Sequence, residues 1–159
     1  MCNFLSAIVL QTGEIVCDPE HTDSHEDLIA SRGLADNGLG GFVRVELTPG
    51  DDWANADEYT FRVDQPDPPE WWTDGERSRV EIDLRDRIRR SVIVAGAQNL
   101  LLGGWWIIAG NASVSQVKTA RILSVHGSAR IDSVCGSARI DNVSGSARID
   151  RVHGSARID

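Results

Sequence analysis

The sequence predicts an α+β N-terminal unit followed by a C-terminal β-solenoid of nine-residue repeats, with about two repeats per coil. Three observations predict it. First, the phrase Val125-His126-Gly127-Ser128-Ala129-Arg130-Ile131-Asp132 returns from Val134, Val143 and Val152 with only its second residue changed. Second, Ala129-Arg130-Ile131-Asp132 alternates apolar and charged residues, the period-two pattern of a short strand with one face buried. Third, the first half of the chain mixes such alternation, as in Phe42 to Leu47, with one short, well-capped helix signal.

Each repeat reads as a strand, a corner and the next strand. Gly127-Ser128 supplies the corner, because glycine tolerates positive φ and serine bonds its own backbone. A single nine-residue ring is too tight to enclose a core, whereas a coil of about eighteen residues gives a flattened solenoid with two sheet faces. Repeats then stack on their second neighbour: Arg130 over Arg148, Arg139 over Arg157, Ile131 over Ile149 and Ile140 over Ile158. Coils sit about 4.8 Å apart, the ordinary strand spacing. The phrase fades upstream through Ala120-Arg121-Ile122 and Ala112-Ser113-Val114, so coils are expected to begin near Trp105. Calcium-binding rolls need Asp-rich Gly-Gly-x-Gly-x-Asp turns, which these corners lack. An ice-binding face wants flat Thr ladders, and the outward positions here are Arg and Asp.

Taken in order, residues 3–17 read as a hairpin turning at Gln11-Thr12-Gly13. With Thr12-Gly13 as a two-residue loop, Cys17 faces Ile8 and lies far from Cys2, which argues against a disulfide. A helix from Ser24 to Arg32 follows, capped by Asp23 or Ser24, with Glu26 and Asp27 in its first turn and Gly33 at its end. Gly38-Leu39-Gly40-Gly41 is a hinge before the strand Phe42 to Leu47, and Tyr59 to Val63 is a further strand. The Pro-rich stretch Asp64 to Pro69 is a stiff connector. Glu76 to Ser91 is a charged amphipathic helix with Val80, Leu84 and Ile88 on one stripe, and it is expected to cap the solenoid together with Trp105-Trp106. The domain boundaries are therefore 1–65, a small α+β unit; 66–104, connector, capping helix and apolar strands; and 105–159, the solenoid.

The formal net charge of −8 argues against general affinity for nucleic acid or anionic membranes. The cluster Arg85, Arg87, Arg89 and Arg90 is interleaved with Asp83 and Asp86 and reads as a solvated helix face. Cys2, Cys17 and Cys135 make no disulfide framework and point to reduced thiols and a cytoplasmic setting. Phe4 to Leu10 is short and lacks the basic lead of a targeting segment, and Leu100 to Ile108 is too short to span a bilayer.

Few residues suggest chemistry. If Met1 were removed, Cys2 would offer thiol and α-amine together, as N-terminal-nucleophile amidohydrolases and DNA-crosslinking proteins do, with Asp23, His25 and Glu26 as candidate partners. Its surroundings match neither family's further motifs, and a packed thiol is the commoner fate. His21 and His25 are four apart and would share a face of a continuous helix as metal ligands, but the helix start at Asp23-Ser24 leaves His21 outside it. Cys135 and His153 stack in an eighteen-residue coil, in a slot that also holds His126 and Ser144, so tolerance of small polar groups explains them better. No cofactor or metal is expected.

The start Cys2-Asn3-Phe4, the segment Thr22 to Ile29, a Trp-bearing stretch, and Gly103 to Gly110 before short repeats together resemble a set of phage and actinobacterial proteins with no established activity. The resemblance implies a phage-encoded accessory role in the host cytoplasm. Three functions follow as expectations. The first is a non-enzymatic interaction or assembly protein whose solenoid self-associates end to end through Ala156, Arg157, Ile158 and Asp159. The second is a binder of a small charged ligand, such as a nucleotide signal, or of a host defence protein. The third is a Cys2-dependent enzyme. Identity among repeats favours the first, since catalytic sites break symmetry and stacking does not.

Overall fold

The computed structural model describes residues 5–35 and 41–159. The chain divides into two compact units between Arg87 and Ile88. The connector and most of the second helix, expected in a middle segment of their own, therefore fall with the first unit.

That unit carries a four-stranded antiparallel sheet in the order β2-β1-β3-β4, with β1 at Leu5–Leu10, β2 at Ile15–Val16, β3 at Phe42–Thr48 and β4 at Thr60–Val63. The hairpin register differs by one from the expected one: Ile8 pairs with Val16 and Val9 with Ile15. Gln11-Thr12-Gly13 forms a three-residue loop in which the Gly13 N–H donates to the Leu10 carbonyl at 2.8 Å, with Gly13 at φ 87°. A three-residue hairpin loop needs one residue in the left-handed region, and glycine adopts it without strain. Helix α1, His25–Ser31, starts on Ser24, whose side chain accepts from the Asp27 N–H. It ends with Gly33 N–H on the Ala30 carbonyl and Leu34 N–H on the Ile29 carbonyl, the paired bonds of a Schellman ending. Leu28 and Ile29 of α1 pack with Ile8, Val16 and Phe42.

Helix α2, Asp74–Arg90, buries Val80, Leu84 and Ile88, the expected stripe. Its arginines do more than face solvent. Arg79 donates to the Gly13 carbonyl at 2.9 Å, and Arg85 donates to the carbonyls of Ala56 and, at 2.7 Å, Tyr59. Arg87 donates to Cys17 Sγ at 3.0 Å. Guanidinium groups have fixed, forked donors, so Arg85 satisfies two carbonyls at once while still reaching Glu81 at 2.7 Å. Burial pushes the Cys17 thiol above its ordinary pKa despite Arg87, which keeps it a packed thiol.

The second unit is the solenoid. One parallel sheet runs β12-β10-β8-β6, from Arg148–Ile149, Arg130–Val134, Ser113–Val117 and Ala97–Leu101. The other runs β13-β11-β9-β7-β5, from Arg157–Ile158, Arg139–Ile140, Arg121–Val125, Trp105–Ile108 and Val92–Ile93. The predicted register holds pair by pair: Arg130 with Arg148, Ile131 with Ile149, Arg139 with Arg157 and Ile140 with Ile158. Coiling begins earlier than expected, at Val92, because Val92 pairs with Ile107 and Ala97 with Ser113. These first coils are a few residues shorter and lack the repeat phrase, so only backbone pairing reveals them. A register shift between Trp106 and Ile107 absorbs part of the mismatch in coil length.

The interior is a stack of Ile, Val and Ala from both sheets, with Ile122, Ile131 and Ile140 fully buried. Between coils the corner glycines come close. A Cβ on Gly136, at φ 64°, would stand 2.4 Å from the Lys118 carbonyl oxygen of the preceding coil. Charge pairing adds a ladder outside. Arg130 reaches Asp132 at 2.9 Å in its own coil and Asp150 at 2.5 Å in the next. On the other sheet Arg139 reaches Asp141 at 2.7 Å and Asp159 at 2.6 Å, and Arg121 reaches Asp141 at 2.8 Å. The two ladders differ in solvation. The side chains of Arg121 and Asp141 are only 8% and 7% exposed, against 51% for Arg130, so on the second sheet the outward-facing ladder is largely covered at this pair.

Two stability predictions follow from this geometry. Ile140→Ala empties a fully buried site between stacked coils and should cost about 2–5 kcal/mol in chemical denaturation; a loss of under about 0.5 kcal/mol, typical of surface changes, would contradict the face assignment. Asp141→Asn leaves Arg121 and Arg139 facing each other without their shared anion. It should cost about 3–5 kcal/mol, with little dependence on salt. Asp150→Asn should cost less, and the loss should shrink as salt rises, because its arginines are exposed and screened. The Arg148 guanidinium holds the Asp150 carboxyl below its ordinary pKa, so its contribution is present at neutral pH and lost as pH falls through that lowered value. Equal costs for the two variants at low and high salt would refute the distinction.

An outer coil edge and a histidine–carboxylate cluster

Two places stand apart from the rest of the molecule. One is the outer coil of the solenoid, residues 143–159. Burial falls away towards it: Ile131 and Ile140 are fully buried, Ile149 is partly buried and Ile158 is 42% exposed. Val143 and Val152 are likewise exposed, while Ala156 still packs on the core. Strands β12 and β13 each pair with a single neighbouring strand among the described residues, β10 and β11. The charge ladder changes here too. Arg121, Arg130 and Arg139 each pair with an Asp twenty residues on, in the next coil. Arg148 instead meets Asp150 at 2.5 Å within its own coil, and Arg157 meets Asp159 only at 3.9 Å, with side chains 72% and 63% exposed. The residues predicted for assembly, Ala156, Arg157, Ile158 and Asp159, all lie on this coil.

The other place is on the first unit, where α1 crosses the sheet. Strand alternation puts Ser6, Ile8, Arg44, Glu46 and Arg62 on the face that α1 covers, and carrying the alternation past β4 puts Asp64 there as well. His25, the first residue of α1, is buried, and its Nε2 lies 3.0 Å from the Val45 carbonyl. A carbonyl only accepts, so Nε2 carries the proton and Nδ1 is turned to the carboxylates. Nδ1 lies 3.4 Å from Asp64 Oδ2, and ligand atoms of His25, Glu46 and Asp64 all fall within 4.8 Å of one another. Partial burial, followed by the charge of Asp64, raises the Glu46 carboxyl above its ordinary pKa. An acid held above its ordinary value stabilises the fold below that value and costs stability at neutral pH.

Sequence reasoning picked out His25 but gave it the wrong company. His21 does not join it: its Nδ1 sits 2.8 Å from Asp18 Oδ1, with the imidazole 72% exposed. Asp23 precedes the Ser24 cap, and the bonds made by the His25 ring go to Val45 and Asp64. Cys2 lies outside the described residues. Glu46 and Asp64 were missed because they are far from His25 in sequence; the usable signal was the alternation of polar residues along β3 and β4. In the solenoid, His153 Nε2 bonds Ser133 Oγ at 3.0 Å, and Cys135 Sγ lies 3.4 Å from Gln116 Nε2, so that slot makes no ligand pair. Among the described residues no helix is long and apolar enough to cross a membrane. No family model, curated protein or solved structure matches the chain.

Proposed function

We propose that the protein is a non-enzymatic assembly protein whose solenoid joins a second copy through its outer coil. The observation that carries this reading is the self-complementary order Arg-Ile-Asp on both edge strands, Arg148-Ile149-Asp150 and Arg157-Ile158-Asp159. A two-fold axis through Ile149 and Ile158 sets each isoleucine against its own copy. Arg148 then meets the second copy's Asp150, and Arg157 its Asp159. Antiparallel pairing thus places opposite charges across both seams, where a like-to-like match would be destabilising. The same contact covers Ile158 and Val152 and continues the hydrogen bonding of both sheets. It is isologous and therefore closes at a dimer instead of growing into a fibre. Following the resemblance to phage and actinobacterial proteins, we place this assembly in a phage-encoded accessory protein acting in the host cytoplasm.

The test is molar mass by light scattering at micromolar concentration. A dimer is expected, and it should weaken as salt rises because the seam charges are exposed. The double variant Arg148→Asp, Arg157→Asp sets acid against acid in both seams and should give monomers with unchanged circular dichroism. A monomer mass for the unmodified chain, or a dimer indifferent to the double variant, would refute the proposal.

A further inference from the structure

We propose that His25, Glu46 and Asp64 form a binding site for a divalent transition cation of the Mn2+ or Zn2+ class. This goes beyond the assembly reading and rests on residues of the other unit. The geometry is that of a three-ligand site. His25 is 6% exposed, and its ring is fixed by the Val45 carbonyl at 3.0 Å. Donation of the far ring nitrogen to a backbone carbonyl is the usual device that sets tautomer and orientation in a metal-binding imidazole. Nδ1 is then the nitrogen left to bind a cation; it lies 3.4 Å from Asp64 Oδ2, and one ligand atom from each of His25, Glu46 and Asp64 falls within 4.8 Å of the others. Ligand oxygens and nitrogens around such an ion stand about 2.0–2.2 Å from it, so the three groups need to draw together by only a few tenths of an ångström to share one. Asp64 has room to move, since its side chain is 54% exposed.

The donor set selects the class of ion. Imidazole disfavours Ca2+ and Mg2+, which take oxygen alone, and the absence of thiolate disfavours the softest metals. Three protein ligands with one open to solvent leave positions for water, the pattern of a site that exchanges its ion or a further ligand. Charge agrees. Two carboxylates facing one imidazole concentrate negative charge that a cation between them would neutralise.

Mn2+ is the better probe, because it has little affinity for thiolates and will not report on Cys17 or Cys135. Titrated into the full chain, it should bind at one equivalent. Its paramagnetism should broaden amide signals around His25, Glu46 and Asp64 before those around the exposed His21–Asp18 pair. Asp64→Asn, a change at an exposed position, and the isosteric Glu46→Gln should each weaken binding at least about tenfold while His21→Ala leaves it unchanged. Bound ion should also raise the melting temperature of the unmodified protein and not that of Asp64→Asn. No saturable binding at millimolar Mn2+, broadening centred elsewhere, or full binding by Asp64→Asn would each overturn the site. These results are independent of oligomeric state, so failure here leaves the assembly reading untouched.

Discussion

The solenoid depends on one constraint, the close backbone approach at its corners. Each coil donates its corner hydrogen bonds to the coil before it: Ser128 N–H to the Gly110 carbonyl at 2.8 Å, and Ser146 N–H to Gly127 at 2.8 Å. That approach is possible only without a side chain. At Gly136 a Cβ would collide with a carbonyl, and the positive φ would be strained besides. Once the corners are fixed, coil length is fixed, and the eighteen-residue register of the final coils follows. Register in turn decides which residues stack, so the isoleucine core and the Arg–Asp ladder are consequences of the corner geometry.

This explains why the solenoid was legible. A strict repeat states its own period, and period two within the strand states which side faces in. From those facts the pairs Arg130–Arg148 and Ile140–Ile158 could be written down without coordinates. Legibility ended where repetition ended. The coils formed by β5 and β6 carry no repeat phrase and are recognised only by their pairing with β7 and β8. Burial of the Arg121–Asp141 pair was equally hidden, because every copy of the phrase shows the same charges whatever surrounds it.

The N-terminal unit gives the complementary lesson. Its elements were read with good bounds, helix α1 above all, because capping and alternation are local signals. The His25 cluster is not local. It arises when an antiparallel register brings Glu46 opposite Arg62 and α1 lays His25 over that row. The hairpin slipped by one residue for a related reason: Gln11-Thr12-Gly13 admits either a two- or a three-residue loop, and the Gly13-to-Leu10 bond selects the longer. Arg89 and Arg90 are exposed as expected, but Arg85 and Arg87 are not simply solvated, because helical periodicity reports only which face is apolar. It does not report that Arg85 has carbonyls of Ala56 and Tyr59 within reach.

The repeat also shows which of its positions stacking leaves free. Within the shared phrase every slot is held by a physical demand: glycine by the corner, alanine, isoleucine and valine by the core, and arginine and aspartate by the ladder. The second slot alone varies, as His126, Cys135, Ser144 and His153. At every copy its backbone bonds the preceding coil, with His126 N–H on Ile108, Cys135 on Val117, Ser144 on Val125 and His153 on Val134, all at 2.9–3.0 Å, while side-chain bonds such as His153 to Ser133 differ from copy to copy. No side chain is needed to hold the coil there, so the slot can change without disturbing register. A solenoid built this way keeps its stacking surface constant while leaving the second slot, and the ninth that holds Ser133, Asn142 and Arg151, exchangeable. Unlike side chains from three separate segments, as at His25, Glu46 and Asp64, meet among the described residues in the non-repeating unit.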